Sequence, residues 1–388
     1  MLELFTGWFD HWGEKHHTFT AEDTVNRVRA IIGDYNASIN FYMFTGGTNF
    51  AFFNGANNSS ATYQPTITSY DYNAPISECG DVTEKYMAIR RLLIELKLAP
   101  VDLPEVPRNP EKVAYSPVTL TDVMSFENLI TVSTKLYGEI FLETPTFMEL
   151  LTHNSGFGQN YGYILYRATN VGSHNKLVLN GLLHDEKLLY CNGKRVELSN
   201  RRSSEFTRAL TASSTDGQPN NVVDILVENL GRVNFRRAED YSRMFESQLK
   251  GFHGWVGGVN DDDSIVSIST KWQHVPMEFD NKFYGALSNS DLWTATDKLL
   301  SGNAQPVVLR GFFELSGEPK DTFLDMTDWY RGIVYVNGFN IGRYWKVGPQ
   351  RTLYVPWPLL QKGRNEIMIF SLGYAKKNIV QFTAQPVL

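Results

Sequence analysis

The chain has 388 residues, of which 42% are hydrophobic and 13% aromatic, with a formal net charge of −6 and a pI near 5.8. That length accommodates roughly two to three domains, each with its own core. The acidic balance argues against nucleic acid and anionic membrane as partners. No apolar run approaches the ~18 residues of a membrane span. Cys79 and Cys191 fall in different predicted domains, which excludes a framework of disulfides and makes both buried free thiols.

The first hundred residues read as α/β. The chain opens Met1-Leu2-Glu3 and runs straight into a polar, Trp-rich segment without a signal peptide, as expected of a chain that begins in the middle of its parent fold. Thr20-Ala21-Glu22-Asp23 resembles a capping box and starts a helix running to about Gly33. A strand, Ser38 to Phe44, ends in Gly46-Gly47, and a long polar loop is expected from Thr48 to Gly80. Asp81-Val82-Thr83-Glu84 caps a second helix, whose apolar positions Tyr86, Ile89, Leu93 and Leu96 recur at helical spacing. Pro100, Pro104, Pro107 and Pro110 then mark an extended connector.

Beyond the connector the pattern is almost wholly β. Asn160 to Tyr166 reads as a strand, and Leu188 to Cys191 followed by Asn192-Gly193 reads as a hairpin, because Asn-Gly supplies the positive φ angles of a tight reversal. Val222 to Asn229 is a further strand, closed by Gly231. The same order recurs: Ile333 to Val336, Asn337-Gly338 and Phe339 to Ile341 form a second hairpin, and Glu366 to Leu372 closes at Gly373. Two related antiparallel sandwiches of jelly-roll type are the economical reading.

Five segments carry a resemblance to a known family. Glu3-Leu4-Phe5-Thr6-Gly7-Trp8 with Asp10-His11-Trp12-Gly13 is similar to the strand end that bears the nucleophile in lysosomal-type β-galactosidases, glycoside hydrolase family 35. Tyr42 to Phe50 and Thr68-Ser69-Tyr70-Asp71-Tyr72-Asn73-Ala74-Pro75 resemble two further stretches of the same domain. Leu226 to Phe235, and Gly338 to Trp345 with Gly348-Pro349-Gln350 and Leu353 to Pro356, resemble its two sandwiches. The likeness covers nearly the whole chain.

This resemblance implies a mainly β chain with an α/β N-terminal part: a remnant of a (β/α)8 barrel at 1–99, a Pro-rich connector at 100–115, and two jelly-roll β-sandwich domains at 116–250 and 251–388. The second sandwich would be galactose-binding-like. It implies cleavage of terminal β-galactosyl residues with retention, through a covalent intermediate on Glu3. Phe5, Tyr42, Tyr70 and Tyr72 would line the sugar pocket, with Phe5 standing where the family commonly has a Tyr hydroxyl; Asp71 reads as a structural hydrogen-bonding residue. Partners would be β-galactoside-containing glycans, and the location lysosomal, vacuolar or secreted. No metal or organic cofactor is implied.

Retention needs two carboxyl groups about 5–5.5 Å apart. In the family the acid/base Glu follows an Asn on an earlier strand, and the Asn365-Glu366 dipeptide of this chain sits on the last strand of the second sandwich instead. The chain by itself is therefore expected to be inactive. The alternative is a non-catalytic carbohydrate- or partner-binding sandwich module.

Minor motifs have simpler readings. His11, Glu14, His16 and His17 do not follow a common metal spacing, and Asp261-Asp262-Asp263 reads as a solvated loop. Arg232 and Arg343 read as internal ion-pair or domain-contact residues. Asn36-Ala37-Ser38, Asn57-Asn58-Ser59 and Asn58-Ser59-Ser60 are glycosylation sequons, relevant in the secretory pathway.

Overall fold

A computed structural model describes the chain except for residues 1–2, 60–61, 173, 175, 197–209, 214–220, 237–247, 261, 263, 269–270, 297–304 and 374–377. Met1, Leu2, Asp261, Asp263 and the Ser60 of the third sequon thus lie outside the described residues.

The N-terminal part is a fragment of β/α architecture. Strand β1 (Leu4–Phe5) pairs in parallel with β2 (Phe41–Tyr42), with α1 (Ala21–Arg29) between them in sequence. The Thr20 hydroxyl accepts from the Asp23 backbone N–H, as the cap pattern predicts, and the helix runs on as a π-turn over Ala30–Asp34. Next come β3 (Gly47–Thr48), β4 (Ala56–Ser59), β5 (Thr62–Pro65) and β6 (Ser69–Tyr70). The stretch expected to be one long polar loop therefore contains a β4–β5 hairpin and an antiparallel β3–β6 pair. The hairpin gains its third strand from Val233–Arg236, far away in sequence, which local propensity does not register.

Helix α2 (Glu84–Glu95) is capped by the Thr83 side chain. Its buried positions are Lys85, Ile89 and Leu92, a stripe rotated from the predicted one. The two short strands present a narrow apolar surface, so only Leu92 joins Leu4 and Val28 in the core, while Leu96 packs at its margin.

The rest is two β-layered bodies sharing a core. In the first, a six-stranded sheet (194–196, 186–191, 221–228, 163–171, 272–277, 140–142) faces a four-stranded sheet (210–213, 176–184, 251–259, 265–267). Ile164, Tyr166, Ile225, Phe252 and Trp272 fill the space between them. The alternate residues Tyr163, Leu165 and Leu226 point the other way, into a second core with Ile333, Tyr335 and Phe370 of the following body. Burial on both faces explains why these strands read as continuous apolar runs.

The second body is a nine-stranded sheet whose core includes Val334, Val336, Leu324 and Leu353. Both Asn-Gly reversals form as predicted, with φ of 49° and 75° at Asn192 and Gly193 and of 48° and 83° at Asn337 and Gly338. In each body the first hairpin strand lies between its partner and the later strand, which is the structural form of the sequence repeat.

Strand pairing crosses the linear boundary expected at residue 250. Strands 251–259 and 272–277 pair within the first body, whereas 118–124 pairs with 307–315 and 379–383 of the second. Linear order does not reveal such crossovers.

Three parts of the chain meet at Arg343. Its guanidinium donates to Glu228 at 2.8 Å, to the Asn229 carbonyl at 2.5 Å and to the Asn54 side chain. Arg331 pairs with the other oxygen of Glu228. Arg232 binds Glu149 at 2.7 Å and the Asn160 carbonyl at 2.9 Å. Arg343, Arg331 and Arg232 thus hold elements together, and each carboxylate in these pairs is matched by charge, as burial requires.

Candidate active site

The site is built at the ends of β1 and β2. Phe5 lies edge-on to Tyr42, with ring centroids 6.3 Å apart, and to Trp8 at 5.0 Å. Tyr42 stands edge-on to Tyr72 at 5.8 Å, and Tyr72 lies 5.5 Å from Tyr70. Glu3 is solvent-exposed and close enough to Tyr72 for its charge to push the phenol pKa up, behind the larger effect of burial and that of Tyr42. Tyr70 is raised too, by burial first and then by a hydrogen bond with Tyr42. The structure thus brings Glu3, Phe5, Tyr42, Tyr70 and Tyr72 into one neighbourhood.

The route by which Tyr70 and Tyr72 converge differs from the expected one. An extended Tyr-Asp-Tyr segment would put both rings on one side, but Tyr72 has φ of 62° and Asn73 of 51°. A left-handed turn, not strand alternation, aims the second ring. Phe9 completes the layer, stacked on Tyr70 at 5.6 Å and Tyr72 at 6.2 Å.

Glycine makes this turn possible. A Cβ on Gly7 would lie 1.8 Å from the Tyr72 carbonyl oxygen, and one on Gly46 would lie 2.7 Å from that of Asp71. Both strand ends therefore run their bare backbone against the Tyr70–Asn73 loop.

Two residues that the sequence reading did not single out hold the loop. Lys85, buried on α2, donates from Nζ to the Thr6 carbonyl at 2.6 Å, to the Asn73 side chain at 2.8 Å and to the Asn73 carbonyl. It ties the β1 end to the turn that carries Tyr72, and burial pulls its pKa down to about 8. A Lys spaced with Ile89 and Leu92 on one helical face was the available signal. Glu78 accepts from Thr48 Oγ1 on β3 and from Ser69 Oγ on β6, each at 2.6 Å. Its own N–H donates to Asp71 Oδ1 at 2.7 Å. Burial pushes the Glu78 carboxyl up to about 7, against the two hydroxyl hydrogen bonds and with the Asp71 charge adding to the rise. Nothing in the local sequence marks Glu78.

The carboxylates carried by the strand-end loops already have partners. Asp71 accepts from the N–H groups of Asn73 and Glu78. Asp10 accepts from His17 N–H at 2.9 Å and pairs with the rings of His16 and His17 at 2.7 and 2.9 Å. Burial opposes its charge, but these hydrogen bonds win and hold its pKa low, and the bond to Asp10 raises that of His16. Glu14 binds His11 at 2.9 Å and Gln64 at 2.8 Å. Glu366 lies on the 363–371 strand, with Tyr284 as its partner at 3.2 Å.

Among the described residues no cluster of three or more His, Cys, Asp or Glu is arranged to hold a metal. Among the described residues neither Cys79 nor Cys191 forms a disulfide, and both are buried.

Three stretches of the chain match known family models. Residues 1–96 match glycosyl hydrolases family 35, residues 151–276 the first all-beta domain of beta-galactosidase, and residues 306–365 its galactose-binding domain. The chain belongs to glycoside hydrolase family 35. The family member beta-galactosidase-1-like protein 2 from Homo sapiens is 35% identical over 387 residues, covering 100% of this chain and 56% of its own length. Beta-galactosidase 1 from Dictyostelium discoideum is 34% identical, covering 99% of this chain and 57% of its own. Beta-galactosidase from Bos taurus is 33% identical, covering 96% and 55%. The chain thus spans little more than half the length of these family members.

Proposed function

We propose that this chain carries the nucleophile half of a retaining β-galactosidase site. The observation that carries the reading is the convergence of Phe5, Tyr42, Tyr70 and Tyr72 beside Glu3. Flat aromatic walls suit the apolar face of galactose, and a carboxylate at a strand end is placed to attack an anomeric carbon. Glu3 would form the C–O bond of a galactosyl ester as the aglycone oxygen leaves with a proton, and water would later break that ester. The Tyr72 hydroxyl, buried without a partner among the described residues, is available to a bound sugar.

No proton donor is identified among the described strand-end carboxylates. Asp10, Glu14, Asp71 and Glu78 are all engaged in structural hydrogen bonds, so none is offered as a second catalytic carboxyl. The chain as it stands is therefore proposed to be inactive, with β-galactoside glycans as the substrates of the complete site and a lysosomal, vacuolar or secreted location.

A chromogenic β-galactoside assay on the purified chain tests this directly. Release at the buffer rate is expected. Turnover that survives Glu3→Gln would remove Glu3 from its role; turnover abolished by Glu3→Gln would show that the chain has its own proton donor.

A further inference from the structure

Three sequons occur in the sequence, and the fold treats them differently. Asn58 is 1% exposed, on the middle strand of a three-stranded sheet, with Tyr63 opposite on one side and Arg236 on the other. Asn57 lies on the same strand, half-buried between Gln64 and Phe235. An oligosaccharide on the buried Asn58 amide would have to displace the packing of this sheet, and one on Asn57 would crowd the neighbouring strands on both sides of the middle strand.

Asn36 is in the opposite situation. Residues 33–38 are exposed throughout. The turn is held from behind by the Tyr35 and Ala37 N–H groups, which donate to the carbonyls of Ala30 at 3.1 Å and Ile31 at 3.0 Å. Asn36 itself takes φ of 47°, a conformation Asn tolerates better than most residues, so its presence has a local reason too. Beside it the Tyr35 ring is 78% exposed, a flat apolar surface of the kind on which a pyranose stacks.

We propose that Asn36 is the N-glycan acceptor of the folded chain and that Asn57 and Asn58 are not. The step is ordinary sequon chemistry. Asn36 Nδ2 forms a C–N bond to the anomeric carbon of a polyprenyl-diphosphate-linked oligosaccharide, the C–O bond to the diphosphate breaks, and Nδ2 gives up one proton. The proposal rests on the secretory location put forward above, and the experiment separates the two.

The full chain is expressed behind an added secretory leader, which imposes the compartment. The soluble, protease-resistant fraction is then mapped by glycopeptide mass spectrometry before and after peptide-N-glycosidase. Expected is glycan on the peptide containing Asn36, loss of that glycan in Asn36→Gln and in Ser38→Ala, and an unchanged map in Asn57→Gln. A folded fraction bare at Asn36, or glycosylated at Asn57 or Asn58, would overturn the proposal. The same peptide map on chain from its natural source tests the location alone: bare Asn36 there, with Asn36 occupied behind the leader, would refute the secretory reading and leave the acceptor assignment standing.

Discussion

Replacing Glu78 by Gln should make the β3–β6 clamp more stable at neutral pH and leave it nearly unchanged in acid. Folded Glu78 keeps its proton up to about pH 7, whereas the unfolded side chain releases it near 4.5. Across that window the native state binds the extra proton, so stability falls as pH rises through it. At 1.36 kcal/mol per unit, the loss amounts to about 3 kcal/mol. Gln has the same shape and no charge, and the hydroxyls of Thr48 and Ser69 can turn to donate to its oxygen or accept from its amide. The groups facing Glu78 are Asp71 next to it and His16 and Cys79 around a shared cavity of about 320 Å3. Removing the Glu78 charge also removes its repulsion with Asp71, so the difference between the two proteins reads both effects together. Hydrogen exchange of the Gly46, Asn49 and Glu78 amides, corrected for intrinsic rate, reads the local opening equilibrium without requiring the whole chain to unfold in one step. The variant should match wild type at pH 4.5 and be better protected at pH 7.5. A pH-independent offset, or a variant that opens more readily at pH 7.5, would refute the reasoning.

Lys85→Met leaves the Thr6 and Asn73 carbonyls without their buried donor, at a cost of roughly 2–4 kcal/mol, read as a lower urea midpoint for the N-terminal part. Because the folded lysine loses its proton near pH 8 and the unfolded one near 10.5, wild type but not the variant should gain stability across that interval. Gly7→Ala must push a methyl group into the Tyr72 carbonyl, so a loss of ~3 kcal/mol or more is expected in thermal melts, with disturbed near-ultraviolet tyrosine dichroism. Tyr72→Phe deletes a buried hydroxyl that has no partner among the described residues. It should hold or raise stability by up to ~1 kcal/mol while removing any thermal protection by galactose seen in wild type.

The candidate site was legible in the sequence as a set of residues where residue identity is enough. Glu3, Phe5, Tyr42, Tyr70 and Tyr72 are named by short motifs, and β6 with the turn after it brings Tyr70 and Tyr72 to the ends of β1 and β2, where Glu3, Phe5 and Tyr42 lie. Glu78 was not legible, because its role is to accept from one hydroxyl on β3 and one on β6, and neither strand stood out in a polar stretch. Lys85 was half legible: its place on the buried helical stripe was there to see, but its acceptors lie 79 and 12 positions back along the chain.

Local chemistry alone determined the Thr20 and Thr83 caps, the two Asn-Gly reversals and the recurrence of hairpin and strand, since each depends on residues within a few positions of one another. Only the tertiary structure decided which sheet each strand joins, and the left-handed turn that swings Tyr72 toward Tyr42. The physical reason is the same in both cases. Strand edges and buried donors are satisfied by whichever partner the folded chain brings near, and nothing in a strand's own residues records how far along the chain that partner lies.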